Sequence, residues 1–112
     1  MAKREWSFEG ARQMLPDVRK RTERAVKACE ALAAQRDGLA EAAAERPEIE
    51  RRMREIVERW ASEMEALGLE IKGIWLVDFD NGSGYYCWKW PEPELSYFHG
   101  YADGFAGRTR IQ

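Results

Sequence analysis

The sequence predicts an α+β protein, in which a long antiparallel helical hairpin is followed by a small antiparallel β-sheet of about three strands. Two observations predict this fold class. Residues 1–67 carry 14 basic and 14 acidic residues but three aromatic rings, whereas residues 68–112 carry ten of the 13 rings. Rings and β-branched residues favour strands, and charged residues at helical spacing favour helices. Because compact domains run to roughly 100–150 residues, we predict one domain with these two parts.

The first helix is predicted to begin near Phe8, because Ser7 can accept a backbone N–H bond as an N-cap. Pro16 lacks the N–H that its turn would donate, so we expect a kink there or a short first helix that ends near Leu15. Gly38 weakens the distal end. Small or apolar positions, with Thr22 and Arg36 as polar exceptions, recur at spacings of four and three, at Ala11, Leu15, Val18, Thr22, Ala25, Cys29, Leu32, Arg36, Leu39 and Ala43.

A second helix is predicted to begin at Pro47, which is well tolerated in the first turn, and Gly68 is expected to cap its end. At 1.5 Å per residue, the segment from Pro16 to Glu45 is about 45 Å long and the second helix about 30 Å. The longer arm should therefore protrude or bind a partner. The apolar stripe of the second helix is Ile49, Met53, Ile56, Val57, Trp60, Met64 and Leu67.

After Gly68 the sequence becomes rich in β-branched and aromatic residues. We predict one strand over residues 71–79, turn chemistry over 80–84, a second strand over 85–90 and a third over 95–99. Pro91 and Pro93 bracket the second connection. The apolar face of this meander needs cover, which the helical hairpin can supply.

Composition excludes several classes of function. The net charge of −2 argues against a nucleic-acid partner. The N-terminus has no signal-peptide pattern, and no window approaches the roughly 20 apolar residues of a membrane span, so we expect a cytoplasmic protein. Cys29 and Cys87 are outside CxxC spacing and are expected to be reduced. The sequence also contains no Walker loop, GxGxxG, HExxH or GxSxG motif.

His99 is the single histidine, four residues before Asp103, with Asp78 and Cys87 as further potential ligands. An imidazole with carboxylates can hold a divalent metal ion or act as a general base. We therefore take His99, Asp78 and Asp103 as catalytic candidates and His99 and Asp103 as metal candidates. The alternative is that His99 is a structural residue held by hydrogen bonds, because a metal site needs three or four ligands positioned together. The sequence pattern predicts no cofactor.

The segment Gly104–Arg108 projects an arginine from a glycine-flanked loop. Arg108 could clamp the carboxylate or phosphate of an anionic ligand through its planar guanidinium. Alternatively, Phe105 fills the core while Arg108 pairs with an internal carboxylate, for which Asp78 is the natural candidate.

The rings of the second strand alternate between two faces of the sheet. Tyr86, Trp88 and Trp90 share one parity and Tyr85 and Cys87 the other, so one row should pack on the helices and the other could line a pocket or an interface. We take Arg108, Trp88, Trp90 and Tyr86 as candidate ligand-binding residues. Stacking of single-stranded nucleic acid would need more basic residues than this region has.

The chain resembles the domain-of-unknown-function family 2203, a family of small prokaryotic proteins. The pieces that carry the resemblance are WSFEGARQMLP, ALGLEIKG, LVDF, YYCWKWPEPELSYFHG and GFAGR, in this order. The resemblance implies a helical hairpin with a small β-sheet in a bacterial protein and supplies no reaction.

These observations lead to three hypotheses of function. The leading one is a non-catalytic, oligomeric interaction or ligand-binding module, with a homodimer as the first expectation, because long amphipathic helices leave apolar surface that self-association would bury. The competing one is a small metal-dependent or acid–base enzyme that uses His99, Asp78, Asp103 and Arg108. The third is a regulatory protein that binds another protein through exposed rings.

Overall fold

The structure is a computed structural model that describes residues 4–112. Helix α1 spans Phe8–Asp37, and the Ser7 hydroxyl accepts a hydrogen bond from the Gly10 N–H at 3.0 Å. This is the predicted N-cap. The 30-residue helix therefore begins where the sequence indicates.

Of the two outcomes predicted at Pro16, a kink or a short first helix that ends near Leu15, the short helix is wrong, because Pro16 lies inside the continuous helix α1. The proline itself is exposed, while its neighbours Leu15 and Val18 are buried in the core. Packing of these flanking side chains outweighs the one backbone hydrogen bond that proline cannot donate. At its other end, α1 ends at Asp37, earlier than the apolar pattern to Ala43 indicates.

Helix α2 spans Arg46–Ala66 and returns along α1, so the predicted helical hairpin is confirmed. Pro47 occupies its first turn. Gly68 follows the helix with φ +93°, a left-handed conformation that glycine adopts without steric cost. Neither helix has a stretch apolar enough to cross a lipid bilayer.

The sheet has five antiparallel strands rather than about three, in the order β1-β2-β3-β4-β5. Strands that follow one another in the sequence are neighbours in the sheet, so the sheet is the predicted meander with two additional strands. The strands are β1 (Glu70–Gly73), β2 (Leu76–Asp80), β3 (Tyr85–Lys89), β4 (Tyr97–His99) and β5 (Thr109–Arg110).

The predicted first strand is divided in two by a tight turn at Ile74 and Trp75. Trp75 has φ +62°, which a strand cannot accommodate. The Trp75 ring packs edge-on against Trp60 of α2, with ring centroids 5.0 Å apart. This tertiary contact offsets the backbone strain, which costs of order 1–3 kcal/mol.

The two faces of the sheet have different surroundings. Val77, Phe79 and Trp88 face the helices and are completely buried in the core. Asp78 and Cys87 alternate with them and therefore face the opposite side. The hydrophobic core consists of Trp6, Ala11, Leu15, Val18, Trp60, Met64, Leu69, Val77, Phe79, Trp88 and Leu95.

Candidate metal centre

Three potential metal ligands meet on the sheet face that points away from the helices. Asp78 on β2 lies directly opposite Cys87 on β3, and His99 on β4 lies opposite Tyr85, two residues before that cysteine. One ligand atom from each of Asp78, Cys87 and His99 lies within 4.8 Å of the other two. All three residues are buried, at 0%, 1% and 5% exposure. Sheet register therefore places a carboxylate, a thiol and an imidazole together.

The His99 ring is held at both nitrogens. Nδ1 lies 2.9 Å from the carbonyl oxygen of Gly100, and Nε2 lies 2.9 Å from Oδ2 of Asp78. Because a carbonyl oxygen only accepts, Nδ1 carries a proton and donates it. Metal-binding histidines are oriented in the same way by a backbone carbonyl or carboxylate. Nε2 is thus the nitrogen that faces Asp78, while Nδ1 is directed to the backbone.

Asp78 has one satisfied oxygen and one unsatisfied oxygen. Oδ1 is buried and makes no hydrogen bond to any of residues 4–112. Burial raises the pKa of the Asp78 carboxyl, while the Cys87 thiol, His99 and Lys72 oppose this effect by favouring the charged form. A buried carboxylate oxygen without a partner is costly unless a ligand, an ion or water satisfies it.

The Cys87 thiol is not set up as a nucleophile. Burial, followed by the charge of Asp78, raises its pKa to about 12. Both nitrogens of His99 are directed elsewhere, and the neighbouring Asp78 raises the pKa of the thiol, so the thiol lacks the imidazole base that activates a cysteine nucleophile. The remaining roles for this sulfur are packing and metal ligation.

Arg108 pairs with Glu92 and not with Asp78, contrary to our prediction. The guanidinium lies 2.9 Å from the Glu92 carboxylate and 3.9 Å from Sγ of Cys87. It is enclosed between the rings of Tyr97 and Phe105, at 4.1 and 4.0 Å from their centroids. Phe105 is 43% exposed, so it covers Arg108 and does not fill the core.

We predict that Arg108→Lys lowers the free energy of unfolding by about 1–2 kcal/mol, because a lysine cannot make the two-pronged pair with Glu92 or stack as a flat group between two rings. Urea unfolding of the variant, followed by circular dichroism, measures the loss. Arg110→Lys is the control, because Arg110 is exposed and should change the free energy by less than about 0.5 kcal/mol. Equal losses in the two variants would contradict this role of Arg108.

A cavity of about 270 Å³ opens onto the three potential ligands. Its wall includes Lys72 on β1 and Tyr85 on β3. The segment after β4 adds Tyr101, Asp103 and Phe105. Lys72 lies 3.3 Å from Glu70, and Tyr101 donates a hydrogen bond of 2.6 Å to Asp80. The potential ligands are buried, whereas Tyr101 and Asp103, which also line the cavity, are exposed.

Asp103, one of the two metal candidates from the sequence, lies in the cavity wall and is exposed. Among residues 4–112, the group of close potential ligands contains Asp78 and Cys87 beside His99 and does not contain Asp103. Sequence proximity to the histidine suggested Asp103, but strand pairing is what brings side chains together here.

The structure places the row of candidate ligand-binding rings on the helix side of the sheet, away from the cavity. Trp88 is completely buried, and its Nε1 donates a hydrogen bond to the carbonyl of Glu92 at 2.8 Å. Tyr86 and Trp90 are partly buried against the same core. Trp88 is therefore not available to a partner protein, and the row that lines the pocket is the one with Tyr85 and Cys87.

Comparison with known proteins gives one family. The family model described as "Uncharacterized conserved protein (DUF2203)" matches residues 4–111. No curated protein and no solved structure matches the chain. The sequence pieces that carry the family resemblance supply the site: LVDF contains Asp78, YYCWKW contains Cys87, SYFHG contains His99 and GFAGR contains Arg108.

Proposed function

The chain belongs to the DUF2203 family, and because the family description names no activity, we propose a function from the geometry of the site. The protein is a ligand-binding module that binds a divalent transition-metal ion through Asp78, Cys87 and His99. The observation that carries this proposal is the burial of three different metal-ligating groups within 4.8 Å of one another, one of them with an unsatisfied carboxylate oxygen.

The donor set favours Zn²⁺. Thiolate and imidazole are ligands that Zn²⁺ and other borderline or soft metal ions select, whereas Mg²⁺ and Ca²⁺ select oxygen. A carboxylate and a thiolate would balance the two positive charges of the ion, which removes the cost of a net charge in a buried site. The neighbouring cations Arg108 and Lys72 are paired with Glu92 and Glu70, so they leave this balance intact.

Three protein ligands leave a tetrahedral ion with one open position. The cavity lies next to the ligands, so this position would be accessible to water or to a small molecule with an oxygen, nitrogen or sulfur donor. Thiols are kept reduced in the cytosol, so we propose that the protein is cytoplasmic, where Cys87 would remain free to bind the ion.

A second candidate function is proton transfer without a metal ion. The observation that favours it is the 2.9 Å contact between Nε2 of His99 and the buried Asp78 carboxyl beside the cavity. Under this alternative, the purified protein would bind no metal ion.

Titration of tag-free protein with Zn²⁺ by calorimetry tests the proposal, and Co²⁺ in place of Zn²⁺ would report a thiolate ligand through its charge-transfer absorption. We expect one ion per chain. Replacement of a ligand, as in Cys87→Ser or His99→Ala, should weaken affinity by about 100-fold or more, since loss of a supporting group alone costs 10–100-fold.

The chain offers two matched controls. Cys29→Ser removes the other cysteine, which lies on α1, and Asp103→Asn removes a carboxylate from the cavity wall without touching the ligand group. Both variants should bind Zn²⁺ within about threefold of the unmodified protein, a margin of less than 0.7 kcal/mol. Absence of Zn²⁺ binding, or equal weakening by Cys29→Ser and Cys87→Ser, would refute the proposed site.

A further inference from the structure

A second feature of the molecule lies away from the metal ligands: an apolar groove of about 430 Å³ beside the turn that joins β1 to β2. Ile74 at the tip of this turn is 61% exposed, the highest value among the exposed large hydrophobic side chains of residues 4–112. We call this groove the α2 groove, and its apolar lining consists of Cys29, Met53, Val57, Ile74 and Trp75.

The α2 groove is fixed in shape before anything binds. Trp75 takes its positive φ and packs against Trp60, which is 2% exposed in the core. The exposed Ile74 is therefore presented on a rigid turn. A preorganised surface loses little conformational entropy on binding, which favours association.

Two opposite charges flank the groove on one helix. Arg54 and Glu58 line it, one helical turn apart on α2, and neither forms a salt bridge with any described residue. A two-fold axis that sets α2 antiparallel to a second α2 brings Arg54 of each copy to Glu58 of the other. The rim is thus complementary to itself, which a partner of uniform charge would not match.

We infer that the α2 groove is a homodimer interface, in which a second copy of this chain covers Ile74 and Val57. A standard interface buries about 800 Å² on each partner, which is about a tenth of the 7038 Å² surface of this chain. The groove supplies the apolar centre, and the charged face of α2 around it supplies the polar rim that such interfaces have.

Sedimentation equilibrium of the full chain at about 100 μM tests this inference, with the expected mass twice 13.0 kDa. Ile74→Asp puts a charge at the centre of the interface and should weaken dimerisation at least tenfold. Phe98→Asp is the control, because Phe98 is 42% exposed on β4 and does not line the groove. It should leave the dimer unchanged. A monomeric unmodified protein would refute the inference.

Charge reversal gives a second test that does not depend on the apolar centre. Arg54→Glu places two acidic residues together at each rim contact and should weaken the dimer, and so should Glu58→Arg. The double exchange R54E/E58R recreates the opposite charges and should restore it. Because all these residues are exposed or half-buried, circular dichroism should show folded variants. A dimer that is equally stable in the unmodified protein, the two single variants and the double variant would show that the interface lies elsewhere.

Discussion

Trp88→Ala is expected to lower the free energy of unfolding by about 3–5 kcal/mol, the largest loss that we predict for a single substitution. Trp88 is completely buried at the centre of the contact between sheet and helices. Its removal leaves a cavity and also leaves the Glu92 carbonyl without the 2.8 Å hydrogen bond from Nε1. Since small domains have a total stability of about 5–15 kcal/mol, the variant should lose a large share of its stability.

Urea unfolding followed by circular dichroism measures this loss, and Trp90→Ala is the matched control. Trp90 belongs to the same row of rings but is only partly buried, so its replacement should cost less than half as much. Equal losses in the two variants would show that Trp88 does not hold the central position that its burial indicates. Trp88→Phe should recover much of the loss, because it restores most of the apolar volume without the hydrogen bond.

The helices were largely predictable because their signals are local. Ser7 and Gly68 mark the two ends of the hairpin through their own backbone and side-chain chemistry. The effect of Pro16 was not predictable in the same way, because the outcome depended on how well Leu15 and Val18 pack against other elements. Local propensity sets the starting preference, and tertiary packing decided this case.

The number of strands was underestimated for a related reason. Nothing in the local sequence requires Trp75 to adopt a positive φ, and only its contact with Trp60, distant in the chain, stabilises the turn there. The fifth strand, Thr109–Arg110, is two residues long and is defined by its pairing with β4. An element of that length carries no periodicity that could identify it.

The site was predictable in part. Once a turn over residues 81–84 is fixed, pairing of Asp80 with Tyr85 requires that Asp78 faces Cys87, and this register could have shown that the carboxylate and the thiol lie side by side. The position of His99 could not be obtained in this way. The connection from β3 to β4 contains two prolines and seven residues between the strands, which leaves the register of β4 open.

Zn²⁺ at about 100 times its dissociation constant is expected to raise the free energy of unfolding by about 2.7 kcal/mol. The physical reason is that Asp78, Cys87 and His99 come from three different strands, so the folded chain holds them together and the unfolded chain does not. The ion would therefore link β2, β3 and β4. Urea unfolding with saturating Zn²⁺ and with excess chelator gives the difference directly.

Two cysteine variants and a comparison with Mg²⁺ test whether the stabilisation by Zn²⁺ arises at the proposed site. Cys87→Ser should lose the Zn²⁺-dependent stabilisation, whereas Cys29→Ser should keep it, since that thiol lies on α1 away from the ligand group. Mg²⁺, which prefers oxygen ligands in an octahedral arrangement, should give no stabilisation at the same concentration. An equal gain from both ions, or a gain that persists in Cys87→Ser, would mean that the ions act on the charged surface. If Zn²⁺ stabilises the protein, Mg²⁺ does not, and the effect is lost in Cys87→Ser, then binding depends on the paired strands. The reason is that no single strand of the sheet contains all three proposed ligands.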